Sequence, residues 1–283
     1  MGKVTIAIIT DSTSDIPKEY AEKHNIFVLP LHINLPEGDY LDGVDITPEE
    51  VYKRMPKVIP TTSQPSPGDI KQMFERIKKE GYKEAIAICI SMELSGTFDS
   101  ISMCAKEENE LIVHLFDSHR ISMALGLLVM QAVEMNEKEY SSQKILDVLM
   151  SSWKNTNDFF CMPSLNYLIK GGRIGLVAGT LGTLMGIIPI ISINEQGRYY
   201  TYAKNRSYSN AIKKIEETIR DLVKSKIVDI AVMNGNAMEQ AEKLYANLKD
   251  IDNLRNIYFS KISPVLGVHT GPGLIGVAYR VIG

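Results

Sequence analysis

Little in this chain points to redox, metal or nucleic-acid chemistry. Three cysteines in 283 residues, Cys89, Cys104 and Cys161, stand far apart without a C-x-x-C pair, which excludes a disulfide framework and a zinc knuckle. They read as buried free thiols in a reducing compartment. Five histidines, His24, His32, His114, His119 and His269, show no ligand spacing of the H-E-x-x-H kind, so no metal or other cofactor is expected. His114 falls inside an apolar run and reads as a core histidine. There is no excess of positive charge: 31 Lys and Arg meet 34 Asp and Glu, for a net charge of −3, and a nucleic-acid footprint needs a basic face. No G-x-x-x-x-G-K-[ST] element occurs, and Gly271-Pro-Gly273-Leu-Ile-Gly276 matches G-x-G-x-x-G too near the C-terminus for a βαβ unit to follow. The N-terminal apolar run of about seven residues is short for a signal peptide and has no small-residue cleavage site, so a cytoplasmic location is expected.

What is present is an ordinary globular composition, 45% hydrophobic and 23% charged, long enough for one large or two medium domains. The run at 4–10 is apolar and β-branched, the pattern of a strand buried on both faces. Similar runs at 27–33, 84–90 and 111–116 alternate with helical patterns. Two of those helices open on Thr47-Pro-x-Glu50 and Ser66-Pro-x-Asp69, which read as capping boxes, and Ser14 or Asp15 can cap a helix started by Pro17. This alternation predicts βαβ units and a mainly parallel sheet. Later, helical stretches at 124–132 and 142–154 precede strand-like runs at 187–193, 198–203, 228–233 and 274–281, with long helices at 208–224 and 238–248 between them. The fold class expected is therefore α/β in two domains: a mainly parallel βαβ domain over 1–160, and an α/β or α+β domain over 161–283 with helices on one face of its sheet. The division near 160 is soft and need not be continuous.

Residues 174–194 carry no charge and space glycines at 175, 179, 182 and 186 as two G-x-x-x-G pairs. That spacing can mark a transmembrane helix. Thr180, Thr183, Pro189 and a β-branched tail favour a short helix and then a buried strand, with no transmembrane segment.

Four loops are rich in hydroxyls, glycine or histidine: Thr10-Asp-Ser-Thr-Ser-Asp15, Thr62-Ser-Gln-Pro-Ser66, Leu94-Ser-Gly-Thr97 and His269-Thr-Gly-Pro-Gly273. Hydroxyls and glycine amides at a helix N-terminus form an anion cradle, since unpaired N–H groups and the helix dipole both favour negative charge. Each loop alone is better explained as turn chemistry and helix capping, and it is their number in one chain that raises the functional reading. Lys170-Gly-Gly-Arg173 and Lys204-Asn-Arg206 place cations after a helix and a strand, either as solvated caps or as a basic rim beside the cradle. Ser95, His269 and Asp11 are also the residue types of a hydrolase triad, although Leu94-Ser95-Gly96 lacks the G-x-S-x-G elbow. A serine hydrolase or acyltransferase using Ser95 and His269 stays as the alternative.

Taken in order with Asp117-Ser118 and Gly171-Gly-Arg-Ile174, these loops resemble the DegV family, whose better understood members are the fatty-acid-binding subunits of bacterial fatty acid kinase. Six motifs in the family's order span almost the whole chain. The resemblance implies a lipid-binding subunit, not itself an enzyme, that holds a long-chain fatty acid in a tunnel between domains and presents it to an ATP-dependent kinase for acyl phosphate formation. It implies no cofactor beyond the bound acid, and contact with a membrane surface that is at most transient. Position by position, it implies that Thr62 and Ser95 donate hydroxyls to the carboxylate near His269, with Ser63, Gly96 and Thr97 in support. Arg173 and Arg206 would stand at the tunnel mouth, where the kinase approaches. Met92-Glu93 before Leu-Ser-Gly, and Ile188 where a lysine is frequent, depart from the family pattern. The uncharged 174–194 stretch and the Met-rich helix around 123–130 are candidate tunnel walls, because methionine fills irregular apolar space.

Overall fold

The computed structural model describes residues 6–55, 57–177 and 186–282. The expected short helix in the uncharged stretch falls largely on 178–185, outside the described residues, as does the start of the first expected strand at residues 4 and 5.

Strand β1 (Ile6–Asp11) is buried along its whole length and lies between β2 (Phe27–Leu29) and β6 (Glu84–Cys89). With β7 (Ile112–Asp117) these make a four-stranded, fully parallel sheet of order β2-β1-β6-β7. The expected strand at 27–33 is broken at Pro30, which has no N–H to continue a ladder, while Leu31 N donates to Ser12 Oγ instead (3.0 Å). The chain then enters a separate antiparallel sheet: β3 (His32–Leu35) in the centre, flanked by β4 (Gly38–Leu41) and β5 (Thr61–Ser63). Both expected capping boxes form, Thr47 with Glu50 at α2 (Pro48–Arg54) and Ser66 with Asp69 at α3 (Pro67–Lys79). The expected cap from Ser14 or Asp15 does not. Helix α1 (Lys18–Lys23) follows Pro17 without a side-chain cap, and Asp15, in the left-handed region at φ 52°, turns its carboxyl inward.

Helix α4 (Thr97–Glu107) follows β6. After β7 comes α5 (Ser122–Asn136), whose long apolar sequence is buried all round, as a helix without a polar face must be. It packs against β1 and β6 on one side. On the other side is a six-stranded sheet of order β10-β9-β8-β13-β11-β12, made of β8 (Thr156–Cys161), β9 (Ile188–Ile193), β10 (Tyr199–Asn205), β11 (Ile227–Gly235), β12 (Leu254–Lys261) and β13 (Leu274–Ile282). Its pairs are antiparallel except β11 with β12. Helices α8 (Tyr208–Val223) and α9 (Met238–Leu248) cover its far face through Ile215, Ile219 and Leu244. The expectation of helices on one face only is thus corrected: α5 occupies the other, meeting Phe160, Met233 and Ala278. Helix α6 (Ser142–Ser152) packs on α5. No helix among the described residues is long and apolar enough to cross a membrane.

The three cysteines are free and buried, and burial pushes the Cys161 thiol up to about 12, so it behaves as an apolar group. His114 is not a core residue. It is half-buried at the sheet edge, with Nε2 2.7 Å from Glu84 Oε1.

A polar knot ties the two larger sheets together. Asp15 accepts from Ser263 N (2.7 Å) and is bonded to Ser122 Oγ, while its carbonyl accepts from Ser260 Oγ. Nearby Asp42 accepts from Val265 N (2.9 Å). Burial raises the carboxyl of Asp15 to about 8, and those of Asp42 and Asp158 to about 7. Between the usual carboxylate value near 4 and these raised values, the folded state holds protons that the unfolded chain has released. Stability therefore falls as pH rises through that interval. Asp15→Asn supplies an amide that donates to Ser122 while its oxygen still accepts from Ser263, so it folds and removes one titration. The expected result is a melting temperature that declines from pH 7 to 8.5 in the native protein and declines less in Asp15→Asn, read by calorimetry at stepped pH. Equal slopes would show that Asp15 is already ionised at neutrality.

Candidate ligand-binding site

In the parallel sheet the chain leaves β1 toward β2 on one side, and β6 lies on the other. The loops that follow β1 and β6 therefore diverge, and a crevice opens between them at the carboxyl ends, the usual ligand position in such sheets. Asp11 fixes its floor. Fully buried, it accepts from Thr13 N (3.0 Å), Thr13 Oγ1 (2.5 Å) and Ile90 N (2.8 Å), so one carboxyl holds both loops in register.

Above that floor is a cavity of about 380 Å³, within the range of roughly 300–1,000 Å³ typical of small-molecule sites. Its walls come from widely separated parts of the chain. The crevice loops bring Thr13, Ile90, Leu94, Ser95 and Gly96. Strand β5 brings Thr62 and Ser63, followed by Gln64. Helix α10 (Pro264–Thr270) brings Val265, Leu266, His269 and Thr270. Arg173, just past α7 (Asn166–Lys170), and Tyr199 of β10 close it from the side of the six-stranded sheet. Leu31 and Ile121 extend the apolar lining.

The polar groups gather at one end. Thr62 Oγ1 lies 2.7 Å from His269 Nε2, joining residues 207 positions apart. Ser95 Oγ lies 2.9 Å from Thr97 Oγ1, and Gly96 is the N-cap of α4, whose first N–H groups have no partner within the helix. Burial, with the Arg173 cation beside it, depresses His269 to about 4, so its imidazole is neutral near pH 7. With the proton on Nε2, His269 donates to Thr62 and frees the Thr62 O–H to donate to an anion. Nδ1 is buried and has no hydrogen-bond partner among the described residues. It faces Gly171, where a Cβ would stand 2.2 Å from Nδ1. A Cβ on Gly96 would fall 2.1 Å from Gln64 Oε1. These two glycines allow the close approach of groups that form the polar end.

Of the residues singled out in the sequence, Thr62, Ser63, Ser95, Gly96, His269 and Arg173 meet at this cavity, and Thr97 sits buried beneath Ser95. Arg206 is not among the lining residues. It is exposed at the bend between β10 and α8. The 269–273 loop is a helix C-terminus, with His269 in the last turn of α10. Met123 and Met130 of α5 are not among the lining residues of this cavity and are buried between the sheets. Tyr199 and Ile121 carry no signal in the sequence; Thr13, Gln64 and Thr270 lie inside motifs read there without being singled out. The triad is not assembled: His269 bonds Thr62 rather than Ser95, and Asp11 is committed to Thr13 and Ile90.

The DegV family model, described as "Uncharacterised protein, DegV family", matches residues 5–281. The chain belongs to the DegV family. A DegV domain-containing protein of Clostridium acetobutylicum is 42% identical over 272 residues, covering 96% of this chain and 97% of that protein. Among solved structures, a fatty-acid-binding DegV family protein from Thermus thermophilus superposes with a TM-score of 0.90 at 27% identity, covering 98% of this chain and all of that one. DegV of Bacillus subtilis, described as a fatty acid binding protein, gives 0.90 at 29% identity over 98% and 99% of the two chains. A stearic-acid-binding protein from Eubacterium ventriosum gives 0.85 at 27% identity, over 98% of each chain.

In ligand-free protein the His269 13Cε1 resonance is expected to stay that of a neutral imidazole from pH 8 down to about pH 5, a unit above its depressed value. A midpoint near the ordinary histidine value of about 6.5 would show that neither burial nor Arg173 acts on the ring.

Proposed function

We propose that this protein binds a long-chain fatty acid, with the carboxylate at the Thr62, Ser95 and His269 end of the cavity and the acyl chain along Leu31, Ile90, Ile121 and Leu266. The observation that carries this reading is the division of one cavity into a hydroxyl-lined end and an apolar wall, in a chain whose structural neighbours are described as binding fatty acids. Arg173 supplies the one full positive charge among the lining residues, and hydroxyls supply direction. Ser63, Gly96 and Thr97 support the two donors.

Magnitudes divide the work. About 12 buried methylenes at roughly 0.8 kcal/mol each contribute on the order of 10 kcal/mol before association costs. A hydrogen bond to a charged group contributes about 1.5–3 kcal/mol net of the hydration it replaces. The tail sets affinity and the head group sets orientation. An acid held this way keeps its carboxylate at one defined place, which suits presentation to a partner kinase that transfers phosphate from ATP, the chemistry residing in that partner. Arg173 at the cavity and Arg206 on the surface are the cations such a partner would meet. The protein would work in the cytoplasm and touch membranes only to exchange lipid.

Native mass spectrometry of the purified protein, followed by organic extraction, is expected to reveal one fatty acid per chain. Protein that carries none and fails to take up added stearate would overturn the reading. Thr62→Ala or Ser95→Ala is expected to weaken stearate binding about ten- to a hundredfold, the value of one hydrogen bond to a charged group, and to reduce acyl phosphate formation with a cognate kinase by more than that. Unchanged phosphotransfer in both variants would remove them from the carboxylate site.

A further inference from the structure

His32 stands on β3, directly opposite Ser63 of β5, with Ile33 opposite Thr62. Its ring is mostly buried and lies between two carboxylates: Nδ1 is 2.8 Å from Asp39 Oδ2 on β4, and Nε2 is 2.8 Å from Asp69 Oδ2 on α3. Asp39 and Asp69 are the charged groups that face the ring among the described residues. A neutral imidazole has one N–H, so it satisfies one of these contacts and sets a nitrogen lone pair against a carboxylate at the other. The arrangement as it stands requires the imidazolium.

The position of the clamp gives it a task. Asp69 Oδ2 also accepts from Ser66 N (2.8 Å) and Ser66 Oγ, the capping box that starts α3. The 62–66 loop, which carries Thr62, Ser63 and Gln64 into the cavity, therefore hangs between two anchors. One is the β3 to β5 ladder; the other is Asp69, and His32 joins them.

We infer that protonated His32 is a positioning residue for the carboxylate end of the cavity, clamping the 62–66 loop through Asp39 and Asp69, so that ligand release quickens as His32 loses its proton. The inference rests on the fatty-acid reading. Hydrogen bonding to the two carboxylates raises the His32 pKa against a burial effect that lowers it. The clamp is accordingly complete below the ordinary histidine value of about 6.5 and is lost as pH climbs through the higher folded-state value. His269, neutral across that interval, does not contribute to the change.

The test is the rate at which [1-13C]stearate leaves the protein for phosphatidylcholine vesicles, measured at pH 6.0 and 8.5 and expressed as the ratio of variant to native rate, which cancels titration of the acid itself. For His32→Gln the ratio is expected to be about five at pH 6.0, the order of one partly exposed charged pair, and to approach one at pH 8.5. Asp39→Asn gives Nδ1 an amide donor, so a neutral ring keeps both contacts. Its release is expected to remain slow at pH 8.5, where the native rate has risen, and this variant decides the matter if His32→Gln fails to fold. A His32→Gln ratio near one at pH 6.0, or an Asp39→Asn rate that rises with pH as the native rate does, overturns the role of His32 while leaving the binding reading intact. Native protein that binds no stearate at either pH overturns the binding reading, and this role with it.

Discussion

The site depends on a buried carboxyl, that of Asp15, which is not itself among the lining residues of the cavity. Asp15 lies at the end of the turn after β1, and its side chain meets Ser122 at the start of α5 and Ser263 at the start of α10. Three chain segments that bound the cavity are thereby fixed to one another: the crevice loop with Thr13, the helix between the sheets, and the helix bearing His269. Burial raises Asp15 enough that it is largely protonated at neutrality, and a neutral acid can donate to Ser122 while accepting from Ser263. An ionised one would have to accept from both with no counter-charge at hand. The positive φ of Asp15 directs the carboxyl inward instead of toward the N-terminus of α1. Helix α1 has no side-chain cap, since its N-cap residue is Pro17, whose side chain offers no acceptor.

The same economy of charge appears in the cavity. His269 is neutral through burial and its neighbour Arg173, so its service is geometric: it holds Thr62 at 2.7 Å and determines which way that hydroxyl points. Ser95 has Thr97 as its partner rather than a base. A nucleophile needs a base within reach that is itself oriented by a third group. Here the base holds a different hydroxyl, and the nearest sequence candidate for the third group, Asp11, spends its oxygens on the two crevice loops. Hydroxyls aimed by neutral partners are suited to receiving an anion, and on the proposed function Arg173 would balance its charge.

Much of this was legible in the sequence because local rules governed it. The capping boxes at Ser66 and Thr47, the buried strand ending in Asp11 and the alternation of strands with helices are each set by neighbours within a turn or two. Strands β8 and β12 were hidden by polar residues whose partners are remote: Asp158 faces α5 near the buried Arg120, and Arg255 and Asn256 both bond Asp229 on β11. The break at Pro30 was written in the chain, yet the turn of β3 into a second sheet depends on pairing with β5, some 30 residues on. In the site, the hydroxyl motifs could be read and their convergence could not. Nothing near Thr62 announces His269, and nothing near Tyr199 or Ile121 announces a cavity. Whether Met123 and Met130 faced ligand or core was beyond a periodicity argument, since a helix apolar on every side gives none.

Placing an apolar cavity beside the central helix has an energetic consequence. Ile121 lies at the N-terminus of α5, and Leu31, Ile90, Val265 and Leu266 belong to the same core cluster as the helix itself. The cavity wall is thus an edge of the main core and not a separate pouch. On the proposed function, an acyl chain completes that core, and because it binds the folded state alone it stabilises the fold by mass action, about 2.7 kcal/mol at a hundredfold excess over the dissociation constant. The polar end follows a different logic. Its β5 side rests on three exposed or half-buried residues held by the β3 ladder and by the His32 to Asp69 contact, whereas α10 is anchored in the core by Val265, Leu266 and Val268. Local opening draws on regions with few buried apolar contacts. On the proposed function, the β5 side of the polar end is therefore where the fold can yield to let an acid pass while the core around α5 stays closed.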